Sequence, residues 1–247
     1  MYENIASFYD RNIGELNYDL MAEFLHKVFV TYGKVSNTDE RPILLDAACG
    51  TGECTVKMDA KGYDMIGLDI SPDMLQMASE KPGAEQVMWI CQDMAEMDLF
   101  GTVQAVFCMT DSINHLLEEE ELKRFIGRSF LFTDPGGLLV FDCLTDVYYR
   151  NVIDGSTFYQ EDEDFCCIWN GEYNGQMCDY DITCFKKTEE NRYIKLKDSV
   201  TERMWTDEQL RTVLTAAGYS VADTFSDLHF AGTDGKEERR FYVCRKR

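Results

Sequence analysis

Three short stretches carry the side chains best placed to do chemistry, and each lies at the end of an apolar run. The first is Leu44-Leu45-Asp46-Ala47-Ala48-Cys49-Gly50-Thr51-Gly52, the second Ile66-Gly67-Leu68-Asp69-Ile70-Ser71, and the third Met109-Thr110-Asp111-Ser112-Ile113-Asn114-His115-Leu116. The first reads as a buried strand entering a tight glycine turn and then a helix; the second reads as the next parallel strand, ending in an acid. Glycine lets backbone approach a ligand closely, and an acid one strand over accepts hydrogen bonds from ribose hydroxyls. That combination is how α/β folds hold an adenosine-containing cofactor. A nicotinamide dinucleotide calls for a third glycine, G-x-G-x-x-G, and Thr55 stands in that place, which weakens a dehydrogenase reading.

These stretches are positioned by an alternation of strands and helices. Residues 2 to 32 carry apolar residues at helical spacing, interrupted near Gly14, and the polar residues 33 to 41 read as a linker. Strands follow over Ile43 to Ala47, Asp64 to Leu68, Val87 to Cys91, Ala105 to Cys108 and Leu138 to Asp142, with helices over Glu53 to Lys61, 72 to 81 and Glu118 to Phe132. Ser71-Pro72 is a cap followed by a first-turn proline, and Pro135-Gly136-Gly137 is a turn. Residues 156 to 200 switch to period-two alternation rich in Tyr, Phe, Trp and Thr, with an Asn174-Gly175 hairpin signal. The pattern resumes with a helix over Thr206 to Ala217 and strands over Tyr219 to Ser226 and Arg240 to Cys244. The expected fold is α/β: a Rossmann-like seven-stranded sheet with helices on both faces, plus an antiparallel β insertion before the last helix. Residues 1–145 and 201–247 form one domain on this reading, and 146–200 the insertion, serving as an acceptor lid or a dimer interface.

The chain has 247 residues, 45% of them apolar, and a formal charge of −21. That length suits one domain with an insertion. The acidic balance argues against nucleic acid, whose phosphates need clustered Lys and Arg. No apolar run reaches the roughly 20 residues of a membrane span, and no signal pattern opens the chain. The ten cysteines lie mostly in strand-like apolar runs without a C-x-x-C pair, so no metal site is expected. They read as reduced, buried thiols of a cytoplasmic protein.

The residues resemble the class I S-adenosylmethionine (SAM) methyltransferases over nearly the whole chain. The family's first motif, D-x-G-C-G-T-G, is matched by Asp46 to Gly52, its acid after the second strand by Asp69, and its acid after the third strand by Asp93. Ala48 replaces the first glycine, a departure the turn tolerates if φ stays negative there. The resemblance implies SAM as cofactor, held by Tyr9, Tyr18, Asp46, Ala48, Gly50, Gly52, Asp69, Ile70, Met74, Asp93, Met94 and Met109. Phe8-Tyr9-Asp10, Tyr18 and the Ser112 to Leu116 segment are similar to aminosugar-type N-methyltransferases acting on small molecules. On that likeness Tyr9 and His115 are the candidate catalytic residues.

His115 alone among three histidines sits at an expected strand tip, where it would take a proton near neutral pH. A capping histidine is an equal reading, and Asp111 and Asn114 are rivals in the same loop. Trp169, Tyr173 and Tyr180 would either face an acceptor or form the insertion's own core. The expected activity is methyl transfer from SAM to nitrogen or oxygen of a small soluble acceptor. RNA or protein methylation, or SAM binding without catalysis, are the alternatives, and a homodimer is left open.

Overall fold

The computed structural model describes residues 17–33, 41–188 and 190–247. The helical stretch expected before Asn17, with Phe8, Tyr9 and Asp10, and most of the expected linker lie outside the described residues.

Helix α1 (Tyr18–Tyr32) starts at Asn17, whose side-chain oxygen accepts the Leu20 N–H at 2.9 Å. It is followed by β1 (Ile43–Ala47), α2 (Glu53–Ala60), β2 (Asp64–Asp69), α3 (Pro72–Ser79), β3 (Met88–Cys91), β4 (Val103–Cys108), α4 (Glu119–Phe132) and β5 (Thr133–Leu144). A second group of strands, β6 (Thr157–Asp162), β7 (Phe165–Tyr173), β8 (Met177–Lys187) and β9 (Tyr193–Arg203), precedes α5 (Asp207–Ala217), β10 (Tyr219–Phe225) and β11 (Arg239–Lys246). The seven-stranded sheet has the order β10-β11-β5-β4-β1-β2-β3. Strands β1 to β5 pair in parallel, and β11 lies antiparallel to both β5 and β10. The order reverses between β1 and β4, and the crevice for a ligand falls at the carboxyl ends of those strands.

Because a strand turns successive side chains to opposite faces, one sequence builds two cores. Leu44, Phe107, Leu138 and Val140 face α1 and α2, where Phe24, Leu25, Val28, Phe29 and Met58 meet them. Leu45, Val106, Leu139 and Phe141 face α4 and α5, packing with Leu122, Phe125, Leu210 and Leu214. Helix α3 begins as the sequence indicates: Ser71 Oγ accepts the Met74 N–H at 3.3 Å and Pro72 fills the first helical position. Thr206 and Gly218 cap α5, with Gly218 at φ +105°. The Pro135-Gly136-Gly137 turn lies inside β5, where the pairing with β4 jumps from Val103–Thr133 to Ala105–Leu138.

Strands β6 to β9 form a separate four-stranded antiparallel meander that continues to Arg203. Cys167 and Cys184 lie opposite each other on β7 and β8 and are joined by a disulfide, so the reading of all ten cysteines as reduced is corrected. Facing positions in an antiparallel pair bring Cβ atoms within bonding reach of a disulfide, which sequence spacing does not reveal. The meander is tied to the main sheet by Asn114, fully buried, whose amide donates to Arg203 O at 2.8 Å and accepts the Leu144 N–H at 3.0 Å. No helix among the described residues is long and apolar enough to cross a membrane.

Gly52 shows how tightly the turn after β1 is packed. At φ +76°, a Cβ there would meet Trp89 Cη2 at 2.6 Å and Ala78 Cβ at 2.9 Å. Overpacking of this kind costs about 1–3 kcal/mol, to which the left-handed backbone adds roughly 1–2 kcal/mol. Gly52→Ala should therefore lower the urea midpoint measurably; a midpoint equal to that of the parent protein would show that Trp89 moves aside freely.

Candidate active site

The crevice at the ends of β1 and β2 is a cleft of about 200 Å³, walled by Ala48, Gly50, Asp69, Ile70, Met74, Asp93, Met94, Ser112 and His115. Its floor is the turn after β1. There the Gly50 N–H donates to Asp69 Oδ2 at 2.8 Å, while the Ser71 N–H donates to Asp69 Oδ1 at 2.8 Å. Both carboxylate oxygens are thus fixed by backbone before any ligand arrives. Burial pushes the Asp69 carboxyl above its ordinary range, and these N–H groups oppose that rise. Nothing lies within 4 Å of where a Gly50 Cβ would stand, which leaves open space for close approach to the Gly50 backbone from the cleft.

Ala48 departs from expectation. Its φ is +60°, left-handed backbone that favours glycine, so the condition of negative φ is not met. The residue is held there because Cys49 N–H pairs with Leu68 O at 2.9 Å on one side and Gly50 with Asp69 on the other. Strain of about 1–3 kcal/mol persists when the surroundings over-determine the backbone, and it gathers at functional sites.

The remaining sequence candidates divide. Ile70, Met74 and Met94 supply apolar wall, and Asp93 caps the turn Met94–Glu96 by accepting the Ala95 N–H at 2.8 Å. Asp46, Gly52, Met109 and Tyr18 do not line the cleft. Asp46 is 3% exposed and accepts the Thr55 hydroxyl at 2.5 Å, bracing the turn from behind. Gly52 packs on Trp89, Met109 is buried with its carbonyl bonded to Ser112 Oγ, and Tyr18 lies against the core under α1.

The loop after β4 is also strained, with Thr110 at φ +59° and Asp111 at φ +54°. It is held from two directions. The Asp111 N–H donates to Asp142 Oδ2 at 3.1 Å, and Arg239 Nη2 grips Asp111 Oδ1 at 2.7 Å while its Nη1 pairs with the fully buried Asp142. This fixes the turn Ser112–His115 and turns His115 into the cleft. Only 15% of the His115 side chain is exposed; burial pushes its imidazole below the ordinary value, with Asp111 and a Thr201 backbone bond opposing. A neutral imidazole at neutral pH has a lone pair available as a base. Asn114, by contrast, is the structural tie already described.

Glu202 was not legible beforehand. It is 5% exposed, its Oε1 lies 4.0 Å from His115 Nε2, and its Oε2 accepts the hydroxyls of Tyr149 at 2.9 Å and Tyr180 at 3.2 Å. Burial drives its carboxyl well above the usual range, the Asp111 charge adds to the rise, and the two tyrosines oppose it. The one available signal was alternation: Glu202 shares a strand face with Val200, and both are buried. Of the insertion's aromatics, Trp169 stacks on Phe158 and Tyr173 on Tyr149, building local cores, and Tyr180 alone of the three reaches Glu202.

Residues 44–137 match the methyltransferase-domain family. A protein of Geobacillus sp. (strain WCH70), named as a methyltransferase, is 28% identical over 99% of both chains. The solved SAM-dependent methyltransferase from Clostridium acetobutylicum superposes with a TM-score of 0.85 at 22% identity, covering 99% of this chain and 98% of that one. An amino pentose methyltransferase from Micromonospora echinaspora, solved with SAM bound, gives 0.75 at 21% identity over 100% and 98%. The domain match makes residues 44–137 a methyltransferase domain, and the whole chain has the fold of the solved SAM-dependent methyltransferases.

Asp46 supplies a test of how the turn is braced. Burial pushes its carboxyl from an ordinary 3.8 up to about 7. Because the folded state holds this proton more tightly than the unfolded chain, the associated stability is fully present below pH 3.8 and is lost as pH rises through about 7. Asp46→Asn should flatten that fall, raising thermal stability relative to the parent protein above pH 7. Parallel pH–stability curves for the two proteins would contradict it.

Proposed function

We propose that this protein transfers the methyl group of SAM to nitrogen or oxygen of a small soluble acceptor bound beside His115. The observation that carries the reading is that one cleft has Asp69 and the Gly50 turn at one end and His115 at the other. Asp69 would accept the ribose hydroxyls, Asp93 would lie near the adenine amine, and Met74, Met94 and Ile70 would cover the adenine faces. Among the described residues the cleft wall holds acids and no Lys or Arg, an environment that favours a cationic ligand over a dinucleotide's pyrophosphate. When bound, SAM supplies a sulfonium-activated methyl carbon. The protein's part is to hold the acceptor in line and exclude water, with His115 receiving the acceptor's proton. Tyr9 remains a candidate partner at that end.

The insertion, residues 146–200 extended by the last residues of β9 to Arg203, closes the acceptor end in this reading. The amino pentose enzyme described above acts on an amino sugar by its name, which supports a small polar acceptor here as well.

Calorimetric titration with SAM, S-adenosylhomocysteine and NADH tests the cofactor half: micromolar binding of the first two without the third is expected. In Asp69→Ala that affinity should fall by about 1–3 kcal/mol, the loss of charge-assisted hydrogen bonds to a largely buried ligand. Unchanged affinity in a folded variant would remove Asp69 from the site. His115→Ala should cut turnover far more than SAM affinity, and the acidic limb of the parent's rate profile should lie below the ordinary imidazole value of about 6.5. Equal loss of binding and turnover would give His115 a structural role instead.

A further inference from the structure

We propose that Glu202 is a specificity-determining residue that, with Asp111 and His115, selects an amine as the methyl acceptor. The proposal deepens the methyltransferase reading and rests on it for the reaction that follows binding.

The three side chains come from two parts of the molecule: Asp111 and His115 from the loop after β4, Glu202 from the last residues of β9. One ligand atom of each lies within 4.8 Å of the other two. His115 Nε2 and Glu202 Oε1, 4.0 Å apart, are too distant to bond each other. With the three atoms at most 4.8 Å apart, a nitrogen at or just above the centre of the triangle reaches each corner at about 2.8 Å, an ordinary hydrogen-bond length. The acids are also held from behind, Glu202 Oε2 by Tyr149 and Tyr180 and Asp111 Oδ1 by Arg239, so they do not collapse into the gap.

Charge points the same way. Among the described residues, the carboxyls of Asp111, Asp142 and Glu202, the hydroxyls of Tyr148, Tyr149 and Tyr180, the imidazole of His115 and the guanidinium of Arg239 stand around this space. One cation among the described residues faces these three acids. An ammonium group relieves that imbalance and offers a hydrogen to each corner, whereas a hydroxyl has one hydrogen for three acceptors. A site built to receive N–H donors rejects the analogue that lacks them, because its buried acceptors are left unpaired.

The reaction balances with these groups alone. The bound ammonium gives one proton to His115, whose imidazolium is stabilised by Asp111 and by Glu202. The freed nitrogen lone pair forms the N–C bond as the C–S bond breaks; the sulfur keeps that bonding pair and the product nitrogen carries the positive charge.

The experiment uses the full chain with ¹³C-labelled histidine, saturated with S-adenosylhomocysteine, followed by NMR. The chain has three histidines, so His115→Asn assigns the His115 signal by its disappearance. Methylammonium at neutral pH should shift that signal to saturation, and methanol should not. Glu202→Gln should weaken methylammonium saturation about tenfold or more, and Glu202→Asp should restore part of it. S-adenosylhomocysteine affinity should stay as in the parent protein for both variants. No response to methylammonium, an equal response to methanol, or an unaltered Glu202→Gln would each overturn the proposal, as would saturation by micromolar zinc in its place. If S-adenosylhomocysteine fails to bind while methylammonium still shifts His115, the methyltransferase reading falls and the amine site stands. If it binds and methylammonium does nothing, the amine site alone falls.

Discussion

The active end of this molecule depends on a carboxylate with no access to water. Asp142 sits fully buried near the end of β5, where an unpaired charge would be prohibitive. Arg239, at the start of β11, meets it, and the same guanidinium holds Asp111. Asp142 in turn accepts the Asp111 N–H, which keeps that residue in left-handed backbone. The antiparallel return of β11 onto β5 is what brings Arg239 there, with Arg239 opposite Leu144 and Phe241 opposite Asp142. Pairing of one buried acid therefore joins sheet closure to the conformation of the loop that carries His115.

The two ends of the cleft are built by different physics. The Gly50–Asp69 end is preorganised by backbone: turn N–H groups, strand pairing and a glycine pressed on Trp89 leave little to rearrange. The His115 end is made of side chains in a charge network, drawn from the loop after β4, from β9, from β11 and from the helical turns at 146–153 that carry Tyr149. Electrostatic groups held away from water respond strongly to one another and to any arriving charge.

Most of the sheet was legible because strand alternation, caps and glycine turns are local signals. Ser71-Pro72, Thr206 and Gly218 each did in the fold what their types indicate. Asp69 was legible for the same reason, as an acid at a strand tip beside a glycine turn. The direction of the Asp46 side chain was not legible: motif position does not tell which way a carboxylate turns, and Thr55 draws it inward, off the cleft wall. The φ of Ala48 was misjudged because neighbours more than fifteen residues away, Leu68 and Asp69, dictate it. Glu202, Arg239 and the Cys167–Cys184 pair were hidden for one common reason. Their partners are far along the chain or across a ladder, and only strand register brings them together.

The meander β6 to β9 meets the loop that bears His115 through the end of its last strand. Asn114 bonds Arg203, Arg203 bonds Leu117, and Glu202 faces His115, while the Gly50–Asp69 end of the cleft is built without it. The hairpins of this sheet can therefore change length and surface without disturbing the Gly50–Asp69 turn. On the proposed reading, evolution of a new acceptor range is a matter of editing one appendage, while the half of the protein that every such reaction shares is left intact.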